Sequence, residues 1–307
     1  MIVTVTPNPS IDRTIEIDRL ERGALIRARR SSAEAAGKGL NVSCALTAQG
    51  VATLAVLPLA EETATTYLGL LAQATPIAAV PIAGSTRVNV SLIEPDGTVT
   101  KVNEPGPALD EGDVDALLSA AGGVRDAAWI LGCGSLPPGA PVDFYARLAG
   151  LGSPDRRVAV DASGQALSAA VSAGVALIKP NRAELEELAG RALSTIGDVV
   201  AAARKLTDRC DAVLISLGAD GAVYVDANAA LHAEAPIADI INTVGAGDAL
   251  LAGFVAASGG SAGLATAIAW SIAAVRSPGT RMCPVTAGDR AAVIVHERLD
   301  PARRLQG

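Results

Sequence analysis

Aromatic side chains are scarce in this 307-residue chain, which has two Trp, three Tyr and two Phe. Half of its residues are hydrophobic nonetheless. The core must therefore be built mainly from small and branched aliphatic side chains, and an extended disordered protein is excluded. Histidine occurs only as His232 and His296. The four cysteines, Cys44, Cys133, Cys210 and Cys283, lie far apart, and no metal-ligand spacing links them or the histidines. Neither a thiolate zinc site nor a histidine cluster is expected, and both histidines read as surface or structural. The thiols read as reduced, in a cytoplasmic protein. Positive charge is in deficit, with 25 Lys plus Arg against 32 Asp plus Glu. That excess of acid speaks against a general nucleic-acid binder but leaves room for a small anion in a local basic pocket. Long apolar runs are missing too. LATAIAWSIAAV is too short and alanine-rich for a membrane span, and MIVTVTPNPSID lacks the basic-then-apolar order of a signal peptide.

What the chain does have is a succession of short apolar runs: IVTVT, ATLAVL, AAWILG, RVAVD, VALIK and AVLISL. Helical patterns separate many of them, as around Val42–Leu46 and Glu184–Leu188. Covered strands alternating with helices predict an α/β fold, a mainly parallel sheet with helices on both faces. No proline-rich or charged linker divides the chain, so one domain spanning 1–307 is expected. Two segments break the rhythm. One is IDRTIEIDRL, and the other is TRVNVSLIEPDGTVTKVNEP, where alternating runs flank Pro95, Asp96 and Gly97. The second reads as an antiparallel hairpin with Arg87, Asn89 and Ser91 on one face and Val88, Val90 and Leu92 on the other. Lys101 and Asn103 likewise share a face.

The chemistry concentrates in INTVGAGDALLAGF, residues 241–254. An apolar strand is expected to end near Ile241, and Gly245, Ala246 and Gly247 then lead into a helix. Small residues let a phosphate approach the backbone, and a helix N-terminus offers oriented N–H donors. Asp248 in the first turn reads equally as a helix cap or as a base that takes a hydroxyl proton during phosphoryl transfer. No GK[ST] ending makes this a Walker A loop. In KPNRAELEEL, Asn181 is a plausible cap and Glu184 a first-turn carboxylate. In ISLGADGAVYV, Gly218 and Gly221 mark a turn.

VGAGD with the following Ala249–Gly253, and AAGKGLNVSCAL in the first half, resemble the signatures of the ribokinase-like sugar kinases. TPNPSIDRT, TRVNV, KVNEPGP, GSLPPG, VDASG, KPNRAELEEL and ISLGADGA resemble, more narrowly, the phosphofructokinase B branch and its bacterial 1-phosphofructokinases. The matches run in order over roughly residues 1–285. The resemblance implies a three-layer α/β/α body with a small β-sheet lid, here segments of approximately 11–30 and 84–105, and a homodimer joined through the lids. It implies ATP as co-substrate, Mg2+ as cofactor, and a phosphorylated hexose as the other substrate. The activity implied is transfer of the terminal phosphoryl to the 6-hydroxyl of D-fructose 1-phosphate. The alternatives are 6-phosphofructokinase, tagatose-6-phosphate kinase, and a silent sugar-phosphate or nucleotide sensor.

Residue by residue, the resemblance makes Asp248 the catalytic base and Gly245, Ala246 and Gly247 the anion hole. Asp12 would hold sugar hydroxyls, with Gly37 and Asn41 as substrate contacts and Ser135 in the substrate-side loop. Lys38 and Arg87 would hold the phosphate already on the sugar, aided by Lys101 on the lid. Lys179, Asn181, Ser216, Gly218 and Gly221 would border the nucleotide, and Glu184 would reach magnesium through water. Two departures stand out: Ala36 replaces the first of two glycines before the lysine, and LPLAEETATTY replaces a second glycine pair. A methyl at Ala36, or an inward carboxylate at Glu61 or Glu62, would change the sugar pocket.

Overall fold

Runs rich in Val, Ile and Leu form strands because branched side chains suit a pleated, covered surface. The structure is a computed structural model and describes residues 1–71, 74–236, 240–277, 282–296 and 298–306. The first half contributes β1 (Ile2–Val5), β2 (Ser10–Glu16), β3 (Arg30–Ala36), β4 (Thr53–Ala60), β5 (Ile77–Ile82), β6 (Arg87–Ile93) and β7 (Val99–Asn103). The second half contributes β8 (Trp129–Cys133), β9 (Arg157–Asp161), β10 (Leu177–Ile178), β11 (Ala212–Ser216), β12 (Ala222–Asp226), β13 (Ala230–Glu234) and β14 (Ile294–His296). The helices are α1 (Lys38–Ala48), α2 (Ala64–Gly69), α3 (Glu111–Gly122), α4 (Phe144–Ala149), α5 (Gly164–Ala173), α6 (Arg182–Ala189), α7 (Ile196–Leu206), α8 (Ala246–Ala256), α9 (Gly260–Val275) and α10 (Ala287–Ala291).

The large sheet runs in the order β14-β13-β12-β11-β10-β9-β8-β1-β4-β5. From β5 to β11 every pairing is parallel, and β12, β13 and β14 add an antiparallel edge. Alternate residues of each strand enter different cores, as the two-residue period requires. Val3, Ile130, Val158, Val160, Val213 and Ile215 pack with α3 to α7, whereas Ile2, Leu131, Ala159 and Leu214 pack with α1, α8 and α9. Two helix layers therefore enclose one sheet. All the aromatic rings are buried, among them Tyr67, Phe144 and Tyr145 at 0% exposure. The run LATAIAWSIAAV is part of α9, which packs on α8 across Gly253. A side chain at Gly253 would meet Trp270 and the Thr266 carbonyl. Among the described residues no helix is long and apolar enough to cross a membrane.

The small sheet has the order β3-β2-β6-β7. The hairpin read at Pro95–Gly97 is present as the antiparallel β6–β7 pair. The register opposes Asp12 to Asn89, Ser10 to Arg87, and Ser91 to Lys101, so these polar side chains share one face. On the other face Ile11, Ala33, Ala35 and Val88 pack with Leu57 and Tyr67 of the body. Further out, Val102 stands 58% exposed.

Three expectations need correction. The lid strand β3, RSSAEAA, gives no apolar alternation. It begins where the first lid segment was expected to end, and forms because β2 offers it a free edge. The strand expected to end near Ile241 does not include Ile240 or Ile241 among the described residues. Residues 240–245 form no strand, with Ile241 63% exposed, and 237–239 lie outside the described residues. The histidines, unrelated in sequence, face each other across β13–β14 with stacked rings 5.3 Å apart. Glu234 beside them completes a group that could hold a metal ion, and both of its oxygens are engaged by the amino groups of Arg303.

Candidate active site

In a sheet of parallel strands, loops that leave the carboxyl ends share one rim, where ligands of α/β proteins gather. The functional candidates follow that rule. Asp12 lies in β2, into which the loop after β1 leads, Ser135 follows β8, Asp161 ends β9, Lys179 follows β10 and Ser216 ends β11. The glycine loop reaches the same rim because it lies against the end of β1. Gly37, the N-cap of α1, has φ 147°, and a side chain there would come 2.7 Å from Thr6 Cγ2. One at Gly39 would come 2.5 Å from Thr6 Oγ1, the oxygen that accepts the Leu40 N–H at 3.0 Å.

Asp248 is buried in the first turn of α8, whose N-cap Gly245 has no side chain to cover the leading N–H groups. Asn41 donates to Asp248 Oδ2 at 2.8 Å, and Oδ1 has no protein hydrogen bond among the described residues. Burial, and then the charge of Asp161, push Asp248 up to about 6, against the opposing pull of Lys38, Asn41 and Lys179. Asp161 is fully buried between two lysines. Lys38 Nζ donates to its Oδ1 at 2.8 Å, and Lys179 Nζ lies 3.1 Å from its Oδ2. Burial opposes ionisation of Asp161, but Lys179 and Lys38 outweigh it and hold its pKa below the usual range. Burial likewise opposes the charge of Lys38, which Asp161, Asp248 and Glu184 together raise above an ordinary lysine's. The Lys38 side chain remains 40% exposed, open to the cleft, and Ser135 is exposed on the loop just beyond Gly134, close to Lys38.

Three carboxylates thus bear on one ammonium group, and Asp161 Oδ2 has an ion pair but no aligned hydrogen bond. Hard oxygen donors of this kind fit a dication that keeps most of its waters.

A second cluster sits on the small sheet. Ser10 and Asn89 both donate to Asp12 Oδ1, at 2.7 and 3.0 Å. Arg87 donates to the carbonyls of Asn8 at 3.0 Å and Glu104 at 3.3 Å. Burial lowers its pKa despite the nearby charge of Asp12. Three polar atoms here, Asn8 Oδ1, Arg87 Nε and Asn89 Oδ1, are buried without a protein partner among the described residues. Such groups mark places where polar ligands or waters complete the bonding. Lys101 is exposed on the same face, without an ion pair among the described residues.

The third group borders the α6 N-terminus. Asn181 caps α6 in a capping box: its side chain accepts the Glu184 N–H at 2.9 Å, and Glu184 Oε2 accepts the Asn181 N–H at 2.8 Å. The cap reading of this pair therefore holds in the geometry, and Glu184 keeps its other oxygen for solvent. Asn181 bridges to Ser216, whose N–H donates to the Pro180 carbonyl at 3.1 Å. Beyond Ser216 the chain turns through Gly218 and Gly221, at φ 61° and 78°, and a side chain at Gly221 would strike the Ala233 carbonyl.

The structure thus joins Asn41, Asp248, Lys38, Lys179 and Glu184 in one electrostatic group, puts Asp12 with Arg87, and leaves Lys101 apart. Sequence reasoning assigned no role to Asp161, Asn8 or Asn89. The signal for Asn89 was available in the two-residue period that put it on the face of Arg87. Of the departures, Ala36 is buried at the end of β3 and its carbonyl accepts the Tyr67 hydroxyl at 2.8 Å. Glu61 and Glu62 are exposed, and Glu62 accepts from Ser85 at 2.7 Å.

The model of the pfkB family carbohydrate kinases matches residues 5–284. The chain is 36% identical to the 1-phosphofructokinase of Vibrio cholerae over 256 residues, 82% of this chain and 81% of that one. It is 38% identical to the 1-phosphofructokinase of Haloferax volcanii, with 84% of each chain covered. The solved structure of phosphofructokinase-2 from Escherichia coli in complex with potassium superposes with a TM-score of 0.86 at 30% identity, covering 94% of this chain and 96% of that one. With the fold, the glycine-led helix and the buried aspartate all in place, the chain belongs to the pfkB family of carbohydrate kinases.

Proposed function

We propose that this protein is an ATP-dependent, cytoplasmic kinase that phosphorylates D-fructose 1-phosphate at its 6-hydroxyl, giving D-fructose 1,6-bisphosphate and ADP. The chain, 1–307, acts as one kinase domain, with segments 11–30 and 84–105 as its lid. The observation that carries this reading is Asp248, a buried carboxylate with one free oxygen beside a bare helix N-terminus. Asp248 Oδ1 takes the proton of the 6-hydroxyl as that oxygen forms its bond to the γ-phosphorus and the bond from phosphorus to the β–γ bridging oxygen breaks. The N–H groups of Gly245, Ala246 and Gly247 hold the charge on the transferring group. Asp12 orients the sugar hydroxyls, while Gly37 and Asn41 shape the floor and Ser135 the far wall. Arg87 and the exposed side of Lys38 hold the sugar's own phosphate, with Lys101 at the lid's edge. Lys179, Asn181, Ser216, Gly218 and Gly221 line the nucleotide side. Glu184 would hold magnesium through water, and the bound ion supplies positive charge that offsets the polyphosphate's repulsion of an incoming oxygen.

Purified protein given fructose 1-phosphate, fructose 6-phosphate or tagatose 6-phosphate should show its highest kcat/KM on the first. Higher efficiency on either 6-phosphate would overturn the substrate assignment. Replacing Arg87 by alanine should weaken fructose 1-phosphate binding by at least about 10-fold, since a charge-assisted fork to phosphate is lost. ADP affinity should not change, and calorimetric titration of both ligands separates the two. The outer apolar face of the small sheet, ending at Val102, is the surface through which two lids would form a homodimer. Light scattering across a concentration series should give twice the chain mass, and a persistent monomer would remove the dimer.

A further inference from the structure

Asp220 is 1% exposed in the turn joining β11 to β12, outside the catalytic cluster. Its carbonyl accepts a hydrogen bond from His232 Nε2 at 2.7 Å, and its Oδ2 accepts the backbone N–H of Gln306 at 2.7 Å. Its Oδ1 makes no hydrogen bond and lies 3.8 Å from Arg303 Nη2. Arg303 itself grips Glu234 on β13 with both amino groups, at 2.6 and 2.5 Å.

The segment carrying these residues, 299–306, crosses several elements like a strap. Ile196 donates its N–H to the Arg303 carbonyl at 3.0 Å, and Leu305 donates to the Ser194 carbonyl at 3.0 Å, so the strap is stitched to the start of α7. Arg182, the first residue of α6, reaches the Gln306 carbonyl at 3.3 Å. Leu299 and Leu305 pack on the core beneath. One stretch of eight residues therefore ties together the α6 N-terminus and the 218–221 turn. Those are the two walls between which the nucleotide is placed above. Left to itself, a tight turn with two glycines in the left-handed region has wide conformational freedom. A loop that must meet a ligand needs support from its neighbours.

We propose that the 299–306 strap, through Arg303 and the N–H of Gln306, positions the nucleotide subsite by holding the Gly218–Gly221 turn at a fixed distance from α6. The inference rests on the nucleotide reading of that cleft. Arg303 and Gln306 are positioning residues that touch no substrate. Loosening the strap therefore weakens nucleotide binding while the sugar-phosphate side, built from β2, β6 and α1, is unaffected.

Two variants of the full chain test this, each checked for fold by circular dichroism and thermal melting. Arg303→Gln removes the paired bonds to Glu234. Gln306→Pro deletes one N–H at an exposed position and leaves Arg303 in place. Each should raise the Kd for ADP and the KM for ATP about 5- to 10-fold, the scale of one lost hydrogen bond. The Kd for fructose 1-phosphate should stay within about twofold, and kcat at saturating ATP should hold. Arg303→Lys, which can keep one bond to Glu234, should fall between. Unchanged ADP affinity in folded Gln306→Pro overturns the proposal. So does an equal loss for ADP and fructose 1-phosphate, which would make the strap a general brace. If Arg303→Gln does not fold, Gln306→Pro decides alone. An unmodified protein that binds ADP but phosphorylates no sugar phosphate would sink the catalytic reading, and the ADP titrations would still test the strap.

Discussion

Asp248→Asn should fold, bind ATP and turn over at least about 100-fold more slowly than the unmodified protein, because the amide keeps the shape of the carboxylate but accepts no proton. The shape argument is local. Asn41 donates to Asp248 Oδ2, and an amide oxygen in that place still accepts the bond. The effect should fall on kcat, and the Kd values for both substrates should move little. The unmodified enzyme should also lose kcat/KM as pH falls through about 6, where burial and Asp161 have lifted the carboxyl of Asp248. Below that value the carboxyl is already protonated and is too weak a base to take the 6-hydroxyl proton. Steady-state rates from pH 5 to 8, with ligand binding measured alongside, test both statements. A folded D248N that works at close to the unmodified rate would leave Asp248 as a helix cap.

Asp161→Asn should do more damage to the folded state than any other single change in the cleft. Asp161 is the partner of Lys179, which is 4% exposed, and of Lys38. Removing one side of a buried ion pair strands the other, at a cost of about 3 kcal/mol. The urea midpoint should fall with the slope unchanged. A second readout separates this from ordinary loss of packing. Asp161 raises the pKa of Asp248 by placing a like charge nearby, so its neutralisation eases ionisation of Asp248. The acidic limb of the rate profile should therefore move to lower pH in whatever fraction remains folded. It should not reach the ordinary aspartate value, because burial is the larger cause and persists. A limb that stays in place would show that the two carboxylates do not sense each other.

The body of the fold was legible because its strands carry their signal in their own residues. IVTVT, RVAVD and AVLISL are mostly apolar and are buried on both faces, as strands covered by two helix layers must be. The hairpin was legible for the same reason, with its turn spelled out by Pro95–Gly97. RSSAEAA was not, because only its small Ala35 and Ala36 are buried and the rest of β3 is held mainly by pairing with β2. At the end of the apolar stretch leading to Gly245, Ile240 and Ile241 are exposed and outside any strand, so their hydrophobicity is no strand signal. Asp248, Asn41 and Lys38 were found through motifs, but their joining through Asp161 was not. Asp161 sits 123 residues from Lys38, and no local pattern tells a buried bridging carboxylate from one that ends a strand in a turn. The histidine pair shows the same limit, since only the β13–β14 register brings His232 to His296.

Strand order also governs how this chain can be assembled. β1 precedes β4 and β8 in the chain and so leaves the ribosome before either, yet it lies between them in the interior of the large sheet. Its partner Trp129–Cys133 is more than a hundred residues behind it. Until that partner emerges, β1, β4 and then β5 can form only a parallel sheet whose β1 side is open, and parallel pairings of this kind close slowly. At a few to some twenty residues per second, the wait lasts roughly 5 to 25 seconds. For that interval the apolar run IVTV has an unpaired edge, a surface prone to aggregation. Synthesis that stalls between residues 60 and 130 would therefore be more damaging to yield than a stall later on, after β8 has closed the sheet around β1.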